Sequence, residues 1–450
     1  PDTQFSEKSP EWDLNQVCDS SKLNKFSTFI EALAAHTRQR ESMAGRNYPE
    51  QLSNNDINRI VNCFRRDFDL VPSITELTAS SSRELRELSD DQYRILQVAV
   101  NPDNPRVICS GGAGTGKTLL CIEAARRIGR TGKRVLLLCF NRLLATHIKR
   151  EFLPEDGNIQ TYSLHQFMRQ KIIDAGLRFR IESPDLQNES SDTLFSNIYP
   201  EVFQEAMIEL LDESTDELYD SLIVDEGQDI LFSPIIDSIS EVLAGGFKNG
   251  QWILMYDPDL QSELYGRMNP ETINTLKQFH PINIPLIDNF RNPKPVMEEM
   301  CRITGMPLPN CRRHLLSRVE YKTYNSDRDQ GKKLRALLIE LLRENICPST
   351  VTILSGRARD SASVTRYPPD VGKQIVYLND DSLKTLGKDS FSASSIHSFK
   401  GLENDIIILT DISPSGFSDA YFSPVIYVGM TRARTKLYCL VDYQYRDQYL

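Results

Sequence analysis

Gly111-Gly112-Ala113-Gly114-Thr115-Gly116-Lys117-Thr118 is the stretch on which the reading of this chain turns. It fits the pattern G-x-x-x-x-G-K-[ST], a loop that cradles phosphates. An apolar run, Val107-Ile108-Cys109, precedes it, and a helical pattern over Leu119–Ile128 follows. That strand–loop–helix context is what the pattern requires. The glycines let the backbone curl so that several N–H groups face inward, and the helix N-terminus adds partial positive charge. The expected phosphate contacts are Gly111, Gly112, Ala113, Gly114, Thr115 and Gly116, with Lys117 reaching the β- and γ-phosphates and Thr118 holding Mg²⁺.

The chain has 450 residues, enough for two or three domains with full cores. Hydrophobic residues make up 40% and charged residues 25%, the balance of a soluble globular chain. No apolar run approaches the ~20 residues of a membrane span, so no membrane partner is expected. No signal peptide is visible, and the start at Pro1 without Met fits a processed or shortened form. Nine dispersed cysteines without a C-x-x-C pair point to reduced thiols and a cytoplasmic setting. Cys301, Cys311 and His314 match no common zinc spacing. The net charge of −10 argues against a uniformly basic nucleic-acid binder. A protein that moves along a strand needs only a local basic track.

Three regions follow. Residues 1–85 are polar with helical patches and end in a linker around Thr78–Ser82, which predicts a mainly helical appendage. Residues 86–283 alternate strands and helices. Expected strands are Arg106–Ser110, Arg134–Phe140, Ile159–Tyr162, Leu222–Asp225 and Trp252–Tyr256, with a Ser-, Glu- and Asp-rich insertion over about 168–219 that supplies no strand. Residues 284–450 show a second alternation: Val319–Tyr324, an amphipathic helix Lys332–Glu344, Val351–Leu354, Gln374–Leu378, Ile406–Leu409 and Leu437–Val441. Continuous apolar strands between helices predict parallel sheets covered on both faces, an α/β fold with two nucleotide-handling lobes.

A phosphate loop needs an acidic partner, and Leu222-Ile223-Val224-Asp225-Glu226-Gly227-Gln228-Asp229 supplies one. An apolar strand delivers two carboxylates at its carboxyl end. Asp225 is the candidate Mg²⁺ ligand through water, and Glu226 the candidate general base.

From this point the chain resembles the UvrD/Rep-type superfamily 1 helicases, with matches in order over roughly residues 88–440. Leu88-Ser89-Asp90-Asp91-Gln92 resembles the Q motif, which implies that Gln92 reads the adenine edge. Phe140-Asn141-Arg142-Leu143-Leu144-Ala145 resembles motif Ia, and Thr161-Tyr162-Ser163-Leu164-His165 a further strand-contacting segment. These imply nucleic-acid contacts at Asn141, Thr161 and His165. Asp225–Asp229 resembles motif II. Asp257–Gln261, continuing to Tyr265, resembles motif III, where Gln261 would couple ATP to the strand and Tyr265 touch it. Asn289-Phe290-Arg291 resembles motif IV, which implies Phe290 on adenine and Arg291 at the γ-phosphate. Ile396-His397-Ser398-Phe399-Lys400-Gly401-Leu402-Glu403 resembles motif V, placing His397 on the strand and Glu403 at the nucleotide. Tyr427-Val428-Gly429-Met430-Thr431-Arg432-Ala433 resembles motif VI, with Arg432 as arginine finger. Two RecA-like lobes, ATP, Mg²⁺ and single-stranded DNA are what the resemblance implies.

The departures are specific. Motif III carries extra residues, and Arg267 stands near the position of a base-stacking tryptophan. The large insertions of processive relatives are missing, and the compact pattern is closest to a branch in which the helicase module follows a nuclease-related (NERD) domain. The leading expectation is a 3′-to-5′ translocase or helicase. The alternative is a DNA-stimulated ATPase switch that gates a partner nuclease or defence effector. A nucleotide-binding scaffold fits worse, because it needs neither Glu226 nor the two arginines. RNA stays open as a substrate, since no motif reads a 2′-hydroxyl.

Overall fold

The computed structural model describes residues 90–153, 157–182, 193–213, 218–230, 233–258, 270–313, 317–412 and 419–445, with Thr28, Ala32, Ala35 and His36 also described, all helical. Contacts divide the chain into Pro1–Val71 and Pro72–Leu450. The appendage expected over 1–85 lies almost wholly outside the described residues.

Within Pro72–Leu450 two six-stranded sheets form, and every strand pairing in them is parallel. The first contains β1 (Arg106–Gly111), β2 (Val135–Cys139), β3 (Ile159–Ser163), β4 (Ser221–Val224), β5 (Gln251–Tyr256) and β6 (Ile282–Leu286), in the order β3-β2-β4-β5-β1-β6. A small pair, β7 (Asp288–Asn289) and β8 (Asn310–Cys311), follows. The second sheet contains β9 (Val319–Tyr324), β10 (Val351–Ser355), β11 (Ile375–Tyr377), β12 (Phe391–Ser395), β13 (Asn404–Ile412) and β14 (Ala433–Asp442), in the order β11-β12-β10-β13-β14-β9.

The boundary expected between 283 and 284 falls inside β6, which pairs with β1 from Val107↔Ile282 to Gly111↔Leu286. The first sheet therefore extends to Leu286. Alternating Ile and Pro285 in this strand gave too weak a pattern to read. β12 was also missed. Its sequence, Phe391-Ser392-Ala393-Ser394-Ser395, looks like a loop, yet its first four residues are buried between β10 and β11.

Alternate residues of each sheet face opposite cores. Ile108, Leu136, Leu138, Leu222, Val224, Trp252 and Leu254 pack under helices Leu164–Asp174 and Tyr199–Glu213. The segment read as an insertion thus adds no strand, as expected, but its Phe203, Ala206 and Met207 close one face of the first sheet. The other face, with Val107, Cys109, Leu137 and Cys139, shares one continuous core with Leu354, Ile407, Leu409 and Leu437 of the second sheet. Helix Asp327–Arg343 covers the far face through Leu334, Leu337, Leu338 and Leu341, spaced for one helical stripe. Ser326 caps it, accepting from Asp329 N at 3.2 Å.

β12 gives a stability test. Ser392 Oγ lies 2.7 Å from Thr352 Oγ1 and donates to Val351 O at 3.3 Å, whereas buried Ser394 Oγ has no partner among the described residues. Ser392→Ala should lower unfolding free energy by about 1 kcal/mol, while Ser394→Ala should leave it unchanged or raise it. Urea denaturation of both variants checks the contrast.

Candidate functional site

β4, β5 and β1 are neighbours in the first sheet, so their carboxyl ends deliver three loops to one place. Gly111–Thr118 leaves β1, Asp225 and Glu226 leave β4, and Asp257 leaves β5. Lys117 Nζ folds over its own loop, donating to Gly111 O at 2.7 Å and Gly112 O at 2.9 Å, with Asp257 Oδ2 at 3.7 Å. Thr118 Oγ1 donates to Asp225 Oδ2 at 2.7 Å. Gln92 lies on the loop, its amide 3.4 Å from Thr115 O. Gly116 has φ +89°, and a Cβ there would sit 2.3 Å from Gln92 Nε2, so only glycine lets the helix Arg94 belongs to approach so closely.

The two carboxylates differ in environment. Burial, then the charge of Glu226, push the Asp225 carboxyl up to about 6, against the pull of Thr118 and Lys117. Burial also raises Glu226, but Lys400, Lys117 and Arg432 outweigh it and hold this carboxyl below its ordinary value. Glu226 takes φ +54°, a left-handed conformation for a non-glycine residue. Such strain costs about 1–3 kcal/mol and persists where surrounding structure enforces it. Here Gln228 does so, donating to Glu226 Oε2 at 2.6 Å while accepting from Asp257 N at 3.0 Å.

The second sheet presents the amino ends of β13 and β14 to this loop. Tyr427 hydroxyl accepts from Ala113 N at 2.9 Å and lies 3.4 Å from Asp257 Oδ2. Arg291 pairs with Glu403 through its Nε. Arg432 is fully buried and donates to Val428 O at 2.9 Å and Thr431 Oγ1 at 3.0 Å. Burial and the nearby Arg291 charge lower its pKa to about 10. Glu403 is held below its ordinary value, because Arg291, Arg434 and Arg432 outweigh burial. Phe290 reaches the loop through its backbone, N to Gly114 O at 2.9 Å. Lys400 and Asp229 form a buried ion pair between the two sheets, at 2.5 Å and with both side chains 1% exposed.

Sequence reasoning missed two residues. Asn292 Nδ2 donates to Thr431 O at 2.9 Å and Ala433 O at 2.8 Å, straddling Arg432, while Asn289 Nδ2 donates to Ala113 O at 3.0 Å and Asn292 Oδ1 at 3.1 Å. Arg313 Nη1 donates to Arg291 O at 2.7 Å and Arg434 O at 2.6 Å. Asn292 directly follows Asn289-Phe290-Arg291 and could have been noticed there. Arg313 had no signal in the sequence.

Of the residues expected to touch a strand, Asn141, His165 and His397 line one cleft of about 450 Å³ between the sheets, with Phe140, Arg142 and Ser398. Asn141 caps helix Arg142–Glu151 and donates to Ser398 O at 2.6 Å and Lys400 O at 2.7 Å. Burial, then Lys400, lower the His397 pKa. Thr161 lines an adjoining cleft of about 560 Å³ with Lys149, Arg150 and Arg169, and Asp380 borders both clefts. Gln261 and Tyr265 lie outside the described residues.

A loop of inward N–H groups with a lysine can hold phosphate oxygens, and the Thr118–Asp225 pair is an all-oxygen donor set suited to Mg²⁺. The family model of the UvrD-like helicase C-terminal domain matches residues 390–440, a span that contains His397, Lys400, Glu403, Tyr427 and Arg432. No curated protein matches the chain. Among the described residues no helix is long and apolar enough to cross a membrane.

The buried pair between the sheets can be tested directly. Lys400→Met takes the ammonium partner from a buried carboxylate and should cost about 3–5 kcal/mol of unfolding free energy. Adding Asp229→Asn to it should recover part of that loss, as a double-mutant cycle in urea would measure.

Proposed function

We propose that the protein is an ATP hydrolase of the helicase and translocase type that moves along single-stranded DNA from 3′ to 5′. In this reading each parallel sheet is the centre of a RecA-like lobe. The observation that carries it is the facing of two half-sites. Lys117, Thr118, Asp225 and Glu226 come from the first sheet, Arg291 and Arg432 from the side of the second, and Tyr427 bonds across the gap. The family match over 390–440 supports the same reading.

ATP with Mg²⁺ fits the residues present. Gly114 and Gly116, at φ +80° and +89°, give the loop the left-handed turns that aim its N–H groups inward, and Thr118 with Asp225 offers hard oxygen donors. Mg²⁺, when bound, neutralises charge on the β- and γ-phosphate oxygens. Lys117 exchanges the carbonyls of Gly111 and Gly112 for those oxygens. Gln92, whose amide lies 3.4 Å from Thr115 O, would read the adenine edge, and Phe290 would supply an aromatic face to it. Glu226, kept ionised by Lys400 and Lys117, takes the proton of the attacking water. Arg291 and Arg432 act only when they leave Glu403 and the Val428 carbonyl for the γ-phosphate. That exchange couples the nucleotide to movement of one sheet against the other. Asn141 and His397 sit in the cleft that this movement would open, which ties it to a strand lying there. DNA and the polarity rest on the resemblance alone.

Two variants separate the roles at the phosphate site. Lys117→Ala should abolish turnover and weaken nucleotide binding severely. Glu226→Gln should keep ATP and Mg²⁺ binding but lose about 10²-fold or more in turnover, the scale of removing a positioned base. Equilibrium binding of a fluorescent nucleotide beside steady-state hydrolysis reads both, and loss of binding in Glu226→Gln would contradict the assignment.

Single-stranded DNA should stimulate hydrolysis, and the stimulation should fall as salt rises, because phosphate contacts act by counterion release. His165→Ala should weaken the stimulation while sparing nucleotide affinity. Hydrolysis assays with single-stranded DNA, duplex DNA, RNA and no nucleic acid test this. Turnover indifferent to all of them would favour the switch that acts on a partner protein.

A further inference from the structure

Both arginines proposed to meet the γ-phosphate depend on a third. Arg313 is 5% exposed and follows β8. One of its nitrogens, Nη1, bridges two backbone carbonyls: that of Arg291 at 2.7 Å and that of Arg434, two residues beyond Arg432, at 2.6 Å. Its segment is pinned to the Arg291 segment by β7–β8 pairing, by Arg312 N to Asn289 O at 2.9 Å, and by Arg312 with Asp288 at 2.9 Å. On the other side, Asn292 grips the carbonyls of Thr431 and Ala433. The backbone around Arg432 is thus held at 431, 433 and 434. Arg434 is itself fixed to Asp405 at 2.8 Å.

We propose that Arg313 is a positioning residue that sets the two γ-phosphate arginines, Arg291 and Arg432, as one rigid unit. The inference rests on the ATP reading of the site. A buried guanidinium bonded to two carbonyls is a charge-assisted contact, stronger than a neutral hydrogen bond, and cannot lose its charge. Its removal takes away the tie between the carbonyls of Arg291 and Arg434 and leaves the two segments joined through Asn292, so both arginines loosen without the chain coming apart. A finger displaced by about 1 Å loses on the order of 10²-fold in rate, while nucleotide affinity, which the phosphate loop carries in this reading, is kept.

The test compares Arg313→Met and Arg313→Lys in the full chain. Arg313→Met should lower kcat by about 10²-fold with ADP affinity within about threefold of the parent, and should lose the tighter binding of ADP–aluminium fluoride over ADP. Arg313→Lys, which keeps a cation able to bridge carbonyls, should recover much of kcat. Added to Arg291→Ala/Arg432→Ala, Arg313→Met should cost less than about threefold further in kcat, since the groups it positions are gone. A purely structural residue would lower the melting temperature equally in both backgrounds without that silence. Unchanged kcat and analogue affinity in folded Arg313→Met, or an undiminished further loss in the triple variant, overturns the proposal. If the parent chain neither hydrolyses ATP nor prefers the analogue over ADP, the ATP reading itself falls, and the proposal with it.

Discussion

Asn289 and Asn292 hold the chemistry of this protein in one piece. Each carboxamide offers donors and an acceptor, and both are fully buried, so each must find partners or cost the fold several kcal/mol. They find them in the backbone of the phosphate loop at Ala113 and in the backbone on either side of Arg432. A segment of four residues thereby joins a loop of the first sheet to a turn of the second. Because backbone carbonyls are the acceptors, the joint depends on the path of the chain and only weakly on the side chains around it.

Around that joint the site concentrates charge that burial alone would not allow. Glu226, Asp225, Asp229 and Asp257 are all buried, and Lys117, Lys400 and Arg432 are buried beside them. Carboxylates and cations taken out of water survive only in such mutual company. The consequence is that no member can move alone. Lys400 pairs with Asp229 and also lowers the pKa of Glu226, so a shift of the second sheet acts on a carboxylate of the first. Glu226 takes its positive φ within the same cluster, where Gln228 bonds its carboxylate and the backbone of Asp257. The close approach extends along the sheets. Gly401, at φ +83°, leaves no room for a side chain against Leu144, where a Cβ would lie 2.5 Å from a methyl carbon.

The sequence alone determined the parts whose chemistry is local. The phosphate loop, the strand that ends in Asp225 and Glu226, and most strands of both sheets carry their pattern within a few residues, because strand–loop–helix geometry and apolar periodicity are short-range properties. Ser392 and Ser394 hid β12 because its burial comes from neighbours distant in the chain, and the alternation in β6 hid the extent of the first sheet to Leu286. What only the tertiary structure decided is which of these parts meet. Tyr427 reaches Ala113 across 314 positions of sequence, Lys400 reaches Asp229 across 171, and Arg313 reaches the carbonyl of Arg434 across 121. Such contacts are made to backbone atoms or to single charges, which leave no periodicity, and the stretches around Lys400 and Tyr427 do not say which distant partner each side chain meets. They exist only because two parallel sheets share a hydrophobic core and bring the carboxyl ends of one against the amino ends of the other.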